Sequence, residues 1–88
     1  MDMSEILAKV IEVLAEEAEK DPSEITAETT LDNEGIGFDS LDQVEAVMAI
    51  EEAFEVAFPE GEAENAKTVG AVAELVQKAL AEKAAKAA

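Results

Sequence analysis

The chain is 88 residues long, one domain's worth, and a domain this small buries only about 60% of its unfolded surface. Twenty-two Asp and Glu face six Lys and no Arg, a formal net charge of −16. That excludes nucleic acid as a partner, because such binding needs clustered cations, and it disfavours an anionic membrane. With no Cys and no His, the chain has no disulfide and lacks both the commonest general base and the commonest zinc ligand, so no metal site is expected.

Hydrophobic residues make up 49% of the chain at regular spacing, which argues against disorder. Aromatics are limited to three Phe, so the core is built from Leu, Ile, Val, Met and Ala, a composition that favours helices. No apolar run approaches the ~20 residues that span a bilayer. Asp2 and Glu5 stand where a signal peptide would need basic residues, so a cytoplasmic protein is expected. The negative charge points to protein partners with basic patches, steered in by the long-range field.

Asp2 with Glu5 reads as a capping box for a first helix. Met3, Ile6, Leu7, Val10, Ile11, Leu14 and Ala18 form its apolar stripe, and Asp21-Pro22 ends it. Asp21 as cap and Pro22 at the first position predict a single helical turn. The stretch to residue 39 is a long loop in which Ile25, Leu31, Ile36 and Phe38 pin the chain to the core. Gly35 and Gly37 supply backbone freedom before the next helix.

The second helix is predicted from Ser40 to Ala57, stopped by Pro59. A short helical turn is expected at Glu60–Glu64, weakened by Gly61. Thr68 caps the last helix, whose apolar face is Val69, Val72, Leu75, Val76, Ala79 and Leu80. The Ala/Lys tail at 81–88 is a fraying helical end, with Lys83 and Lys86 suited to its own dipole. Residues 1–88 thus make a single domain.

On the second helix, Val47, Ile50 and Phe54 make an ordinary core face, flanked by Ala46 and Ala53. Leu41, Val44 and Met48 form a second apolar stripe on the opposite side, rimmed by Asp42, Glu45, Glu51, Glu52 and Glu55. A bundle this small cannot cover both faces. An apolar strip edged by carboxylates has the anatomy of an interface, with Asp42, Glu45, Glu51 and Glu52 steering basic partners.

The resemblance enters at Gly37-Phe38-Asp39-Ser40-Leu41, since Asp-Ser-Leu at the start of this helix is the attachment motif of acyl carrier proteins. The run from Asp39 to Phe54 closely resembles the second helix of bacterial fatty-acid carriers, and Pro59-Glu60 and Thr68-Val69-Gly70 also match the family's pattern. The likeness covers essentially the whole chain and is weakest after Leu80. It implies an all-α four-helix bundle with a long loop between helices one and two and a short third helix. It also implies phosphopantetheine, moved from coenzyme A onto Ser40 by a phosphopantetheinyl transferase that recognises Asp39 and Leu41. Acyl chains are then held as thioesters and passed between enzymes of fatty-acid biosynthesis by a monomer that is itself no enzyme.

Ser40 has a second reading, because Ser40-Leu41-Asp42-Gln43 is also a capping box; alternatively Asp39 caps and frees the Ser40 hydroxyl. The family often has an acidic residue at Gly35, a smaller one at Phe38 and larger aliphatics at Ala46 and Ala66. These departures leave open a specialised carrier for polyketide or modified-lipid synthesis. A rival of another class is an unmodified acidic helical adaptor. Asp32-Asn33-Glu34-Gly35 fails the spacing of a calcium loop. The alanines 46, 49, 53, 66 and 73 suggest interior room for an acyl chain that, by resemblance, folds back between the helices.

Overall fold

The computed structural model describes residues 2–58 and 61–87, apart from the side chains of Glu64 and of 85–87. Within them the chain is all-helical: α1 Met3–Ala18, a 3₁₀ turn Pro22–Glu24, α2 Ser40–Phe54, α3 Glu62–Asn65 and α4 Val69–Ala87. Three helices are substantial, and α3 is a single turn.

The predicted stripe of α1 is the buried one. Ile6, Val10 and Leu14 are sealed from solvent, and Met3, Leu7, Ile11 and Ala18 pack at their edge. Of the expected capping box the half formed is the bond from Glu5 N–H to Asp2 Oδ1 at 2.9 Å. The helix ends earlier than its proline. Glu19 turns left-handed at φ 56°, and its N–H and that of Lys20 close on the carbonyls of Ala15 and Glu16. Asp21 then caps the 3₁₀ turn as expected, its Oδ1 accepting from Ser23 N–H at 2.9 Å. That bond holds the Asp21 carboxyl below its ordinary pKa. Its contribution is therefore present above the unfolded-state pKa and is lost as pH falls through the lower folded value.

Ile25, Leu31, Ile36 and Phe38 are all buried, so the long loop is pinned as predicted. The loop also completes α4. The first N–H groups of a helix have no partner within it. Here Val69 N–H donates to Thr29 O at 2.9 Å, Gly70 N–H to Ala27 O at 2.8 Å, and Ala71 N–H to Thr68 Oγ1 at 3.1 Å. Leu31 N–H returns a bond to Lys67 O at 3.1 Å. Helix α1 packs on both α2 and α4, and α3 packs on α4. Ile50, Phe54, Val69, Val72 and Val76 share one core with the α1 stripe. Burying each such side chain contributes about 1.5–3 kcal/mol.

Helix α2 stops at Phe54, three residues before its predicted end. Glu55 adopts φ 55° and its N–H caps onto Glu51 O and Glu52 O, so the turn is made before Pro59, which lies outside the described residues. Gly61 (φ 88°) leads into α3, which begins later than the expected Glu60. Helix α4 continues through the Ala/Lys tail to Ala87. Lys83 does not serve its own helix end: its Nζ donates to Glu55 O at 2.8 Å, at the C-terminus of α2. The Lys86 side chain lies outside the described residues.

The two loop glycines differ in kind. Gly35 lies against Thr30, and a Cβ there would overlap the Thr30 carbonyl oxygen. Gly37 has φ 93° with open space around it. Gly35→Ala should cost about 3 kcal/mol, since a backbone oxygen cannot swing away, and Gly37→Ala about 1 kcal/mol. Chemical denaturation of the two variants checks the order; equal losses would contradict it.

Candidate functional site

Phe38, buried in the core, fixes the entry to α2, and Gly37 makes the turn of backbone that Phe38 needs. Asp39 follows in extended conformation and is the cap. Its Oδ1 accepts from Asp42 N–H at 2.8 Å, while Asp42 Oδ2 accepts from Asp39 N–H at 3.3 Å. Gln43 N–H, which a Ser40 cap would require, already donates to the Asp39 carbonyl at 3.0 Å. The structure thus decides between the two capping readings. Ser40 is the first residue inside the helix, exposed, with no hydrogen bond to its hydroxyl among the described residues.

The second apolar stripe faces solvent. Leu41 is 66% exposed, Val44 56% and Met48 60%, the large hydrophobic residues that the described surface leaves open. Glu45 and Glu52 are exposed beside them. Asp42 is half-buried and committed to the cap. Glu51 is half-buried and its Oε2 accepts from Phe58 N–H at 2.8 Å, tying the chain after α2 back onto the helix. Residues 21–66 hold fourteen of the 22 acidic residues and none of the six lysines, so this stretch of the sequence carries almost all of the net negative charge.

A groove of about 470 Å³ opens beside Ser40. Val44, Val47 and Met48 of α2 form one wall, and Phe58, Gly61 and Ala63 contribute to the other. Val47, expected in the core, is only half-buried and belongs to this groove, while Ala46 takes the core position. Phe58 was invisible as a site residue, because it falls beyond the helix period that orders its neighbours. The room expected at the five alanines is not where this groove lies: Ala46, Ala66 and Ala73 are buried core residues, and Ala63 is the alanine on the groove.

A rigid helix that presents one free serine at its first turn, beside an apolar face and a groove, is the framework of a domain that carries a group for other proteins. Residues 8–76 match the family described as the phosphopantetheine attachment site. An acyl carrier protein of Amoebophilus asiaticus is 44% identical over 81 residues, covering 92% of this chain and all of that protein. Acyl carrier proteins of Thermosynechococcus vestitus and Phenylobacterium zucineum are 41% identical over 81 residues and 37% over 78; they cover 92% and 89% of this chain, and the matches span 99% and 98% of those proteins. The chain belongs to the acyl carrier protein family, whose prosthetic group is phosphopantetheine.

Because Asp39 caps and Ser40 does not, the two side chains contribute differently to stability. Asp39→Ala should cost about 1 kcal/mol, and Ser40→Ala less than about 0.5 kcal/mol. Urea denaturation measures both; a larger loss at Ser40 would return the cap to the serine.

Proposed function

We propose that Ser40 is the residue that bears phosphopantetheine, and that the chain carries acyl groups between enzymes of fatty-acid biosynthesis. The observation that carries this reading is the exposed Ser40 hydroxyl, free of the cap, in Asp39-Ser40-Leu41 at the mouth of the groove. A hydroxyl so placed fits a phosphodiester. It is open to a modifying enzyme, it stands on a helix rather than a loop, and the positive end of the α2 dipole favours the phosphate charge. When bound, the group supplies the terminal thiol that holds an acyl chain as a thioester. The polypeptide has no Cys and no His, so no nucleophile or base of that kind competes with it, and the chain acts as a carrier rather than an enzyme.

Asp39 and Leu41 flank the hydroxyl and are what a phosphopantetheinyl transferase reads. Leu41, Val44 and Met48 form the contact strip for the partner enzymes, with Glu45 and Glu52 steering their basic patches. Asp42 and Glu51 shape this face from their cap and loop contacts. The groove receives the acyl chain, gaining about 0.8 kcal/mol for each CH₂ buried. In this reading the single turn α3 is the short third helix of the family's four-helix bundle, and residues 1–88 are one carrier domain. No helix among the described residues is long and apolar enough to cross a membrane; in this reading the carrier works as a monomer in the cytoplasm.

Incubation with coenzyme A and a phosphopantetheinyl transferase should add one phosphopantetheine to the intact mass and one titratable thiol, and Ser40→Ala should gain neither. A Ser40→Ala variant that still acquires a thiol would overturn the assignment.

Charge reversal at Glu45 or Glu52 should slow association with the transferase several-fold, and added salt should slow the parent protein in the same way. Stopped-flow association rates that ignore salt would remove the steering role.

A further inference from the structure

Two lysines of α4 make contacts outside their own helix, and both reach the stretch that follows α2. Lys83 Nζ donates to Glu55 O at 2.8 Å, and Lys78 Nζ pairs with Glu62 Oε1 at 3.0 Å. Both lie beyond residue 76, where the match to the family ends. Val56 and Phe58 pack against the edge of the core, and Phe58 N–H donates to Glu51 Oε2, but between Phe54 and Ala66 no described residue is fully buried, so the two lysine contacts add to a modest hold.

Each lysine answers a local need. The last turn of α2 has no basic residue of its own, and its terminal carbonyls carry the negative end of the helix dipole. Lys83 brings a cation to that end from 28 residues away. Glu62 Oε2 is shut off from solvent without a hydrogen-bond partner among the described residues, although the side chain as a whole is 35% exposed. The bond to Lys78 through Oε1 is what compensates this carboxylate. The same pairing raises the Lys78 pKa.

We propose that Lys78 and Lys83 are positioning residues for the groove: from α4 they hold the α2 terminus and α3, and so set where Phe58 and Ala63 stand opposite Val44 and Met48. The width of the groove beside Ser40 then depends on two exposed charge contacts made from α4, and it varies with ionic strength. That this groove holds an acyl chain rests on the function proposed above. The positioning is tested on the unmodified protein, so its failure is separate from a failure of Ser40 to be modified.

The test is ¹⁵N relaxation dispersion on the parent protein, Lys78→Ala, Lys83→Ala and their double variant. Exposed charge contacts are individually weak, so each substitution should raise the population of a minor, displaced state at the Phe58 and Ala66 amides about 2- to 5-fold. The double variant should show roughly the product, and Val10 and Leu14 of α1 should stay flat. Added salt should raise the minor population in the parent and leave the double variant unchanged. The swap Glu62→Lys with Lys78→Glu should bring Ala66 back to parent behaviour. An unaltered double variant, the same exchange process at Val10 and Leu14, or a swap that restores nothing would overturn the proposal.

Discussion

The site depends on the reciprocal bonds between Asp39 and Asp42. They start α2 one residue before the serine, so the helix is anchored by carboxylates and the Ser40 hydroxyl is left over. A serine that capped its own helix would have its oxygen bound to a backbone N–H, and modification would then compete with the helix start. With Asp39 in that place, a substituent on Ser40 costs the fold nothing at the cap. The geometry reaches back into the loop: Phe38 must be buried and Gly37 must take φ 93° for Asp39 to arrive extended at the helix mouth.

Charge follows the same division of labour. Three of the six lysines serve structure. Lys9 lies 5.1 Å from the centre of the Phe54 ring, Lys78 pairs with Glu62, and Lys83 caps α2. None stands in the stretch 21–66, where most of the carboxylates are. The carboxylates around Leu41, Val44 and Met48 are therefore not neutralised by neighbouring lysines in sequence, and their field extends toward partners. Such crowding of like charge weakens the folded state. The offset comes from the α1 stripe packed against Ile50, Val69 and Val76, and from loop-to-α4 bonds that satisfy the N–H groups at the start of α4.

Much of this was legible in the residues. The α1 stripe, the four loop pins, the Thr68 cap and the doubled apolar surface of α2 each follow from spacing alone, because each is a property of one element. What spacing could not settle were contacts decided by the rest of the fold. Asp39 and Ser40 both satisfy a capping pattern, and the burial of Phe38 selects between them. Both helix ends are made by left-handed glutamates, Glu19 and Glu55, residues with no sequence signature for that conformation, so the prolines took the credit. Val47 and Ala46 differ by one position on the helix, and the chain returning through Phe58 puts Val47 on the groove and Ala46 in the core. Lys83 reaches a carbonyl 28 residues away, which no local rule anticipates.

The central claim, that Asp39 caps α2 and leaves the Ser40 hydroxyl free, is most directly tested by NMR of the Asp42 and Gln43 backbone amides in the parent, in Asp39→Ala and in Ser40→Ala. The Asp42 amide should shift and exchange faster in Asp39→Ala, as a proton bonded to that side chain must. The Gln43 amide, already bonded to the Asp39 carbonyl, should be indifferent to loss of the serine hydroxyl. A Gln43 amide that shifts and exchanges faster in Ser40→Ala, with an Asp42 amide unmoved in Asp39→Ala, would place the cap on the serine and contradict the account.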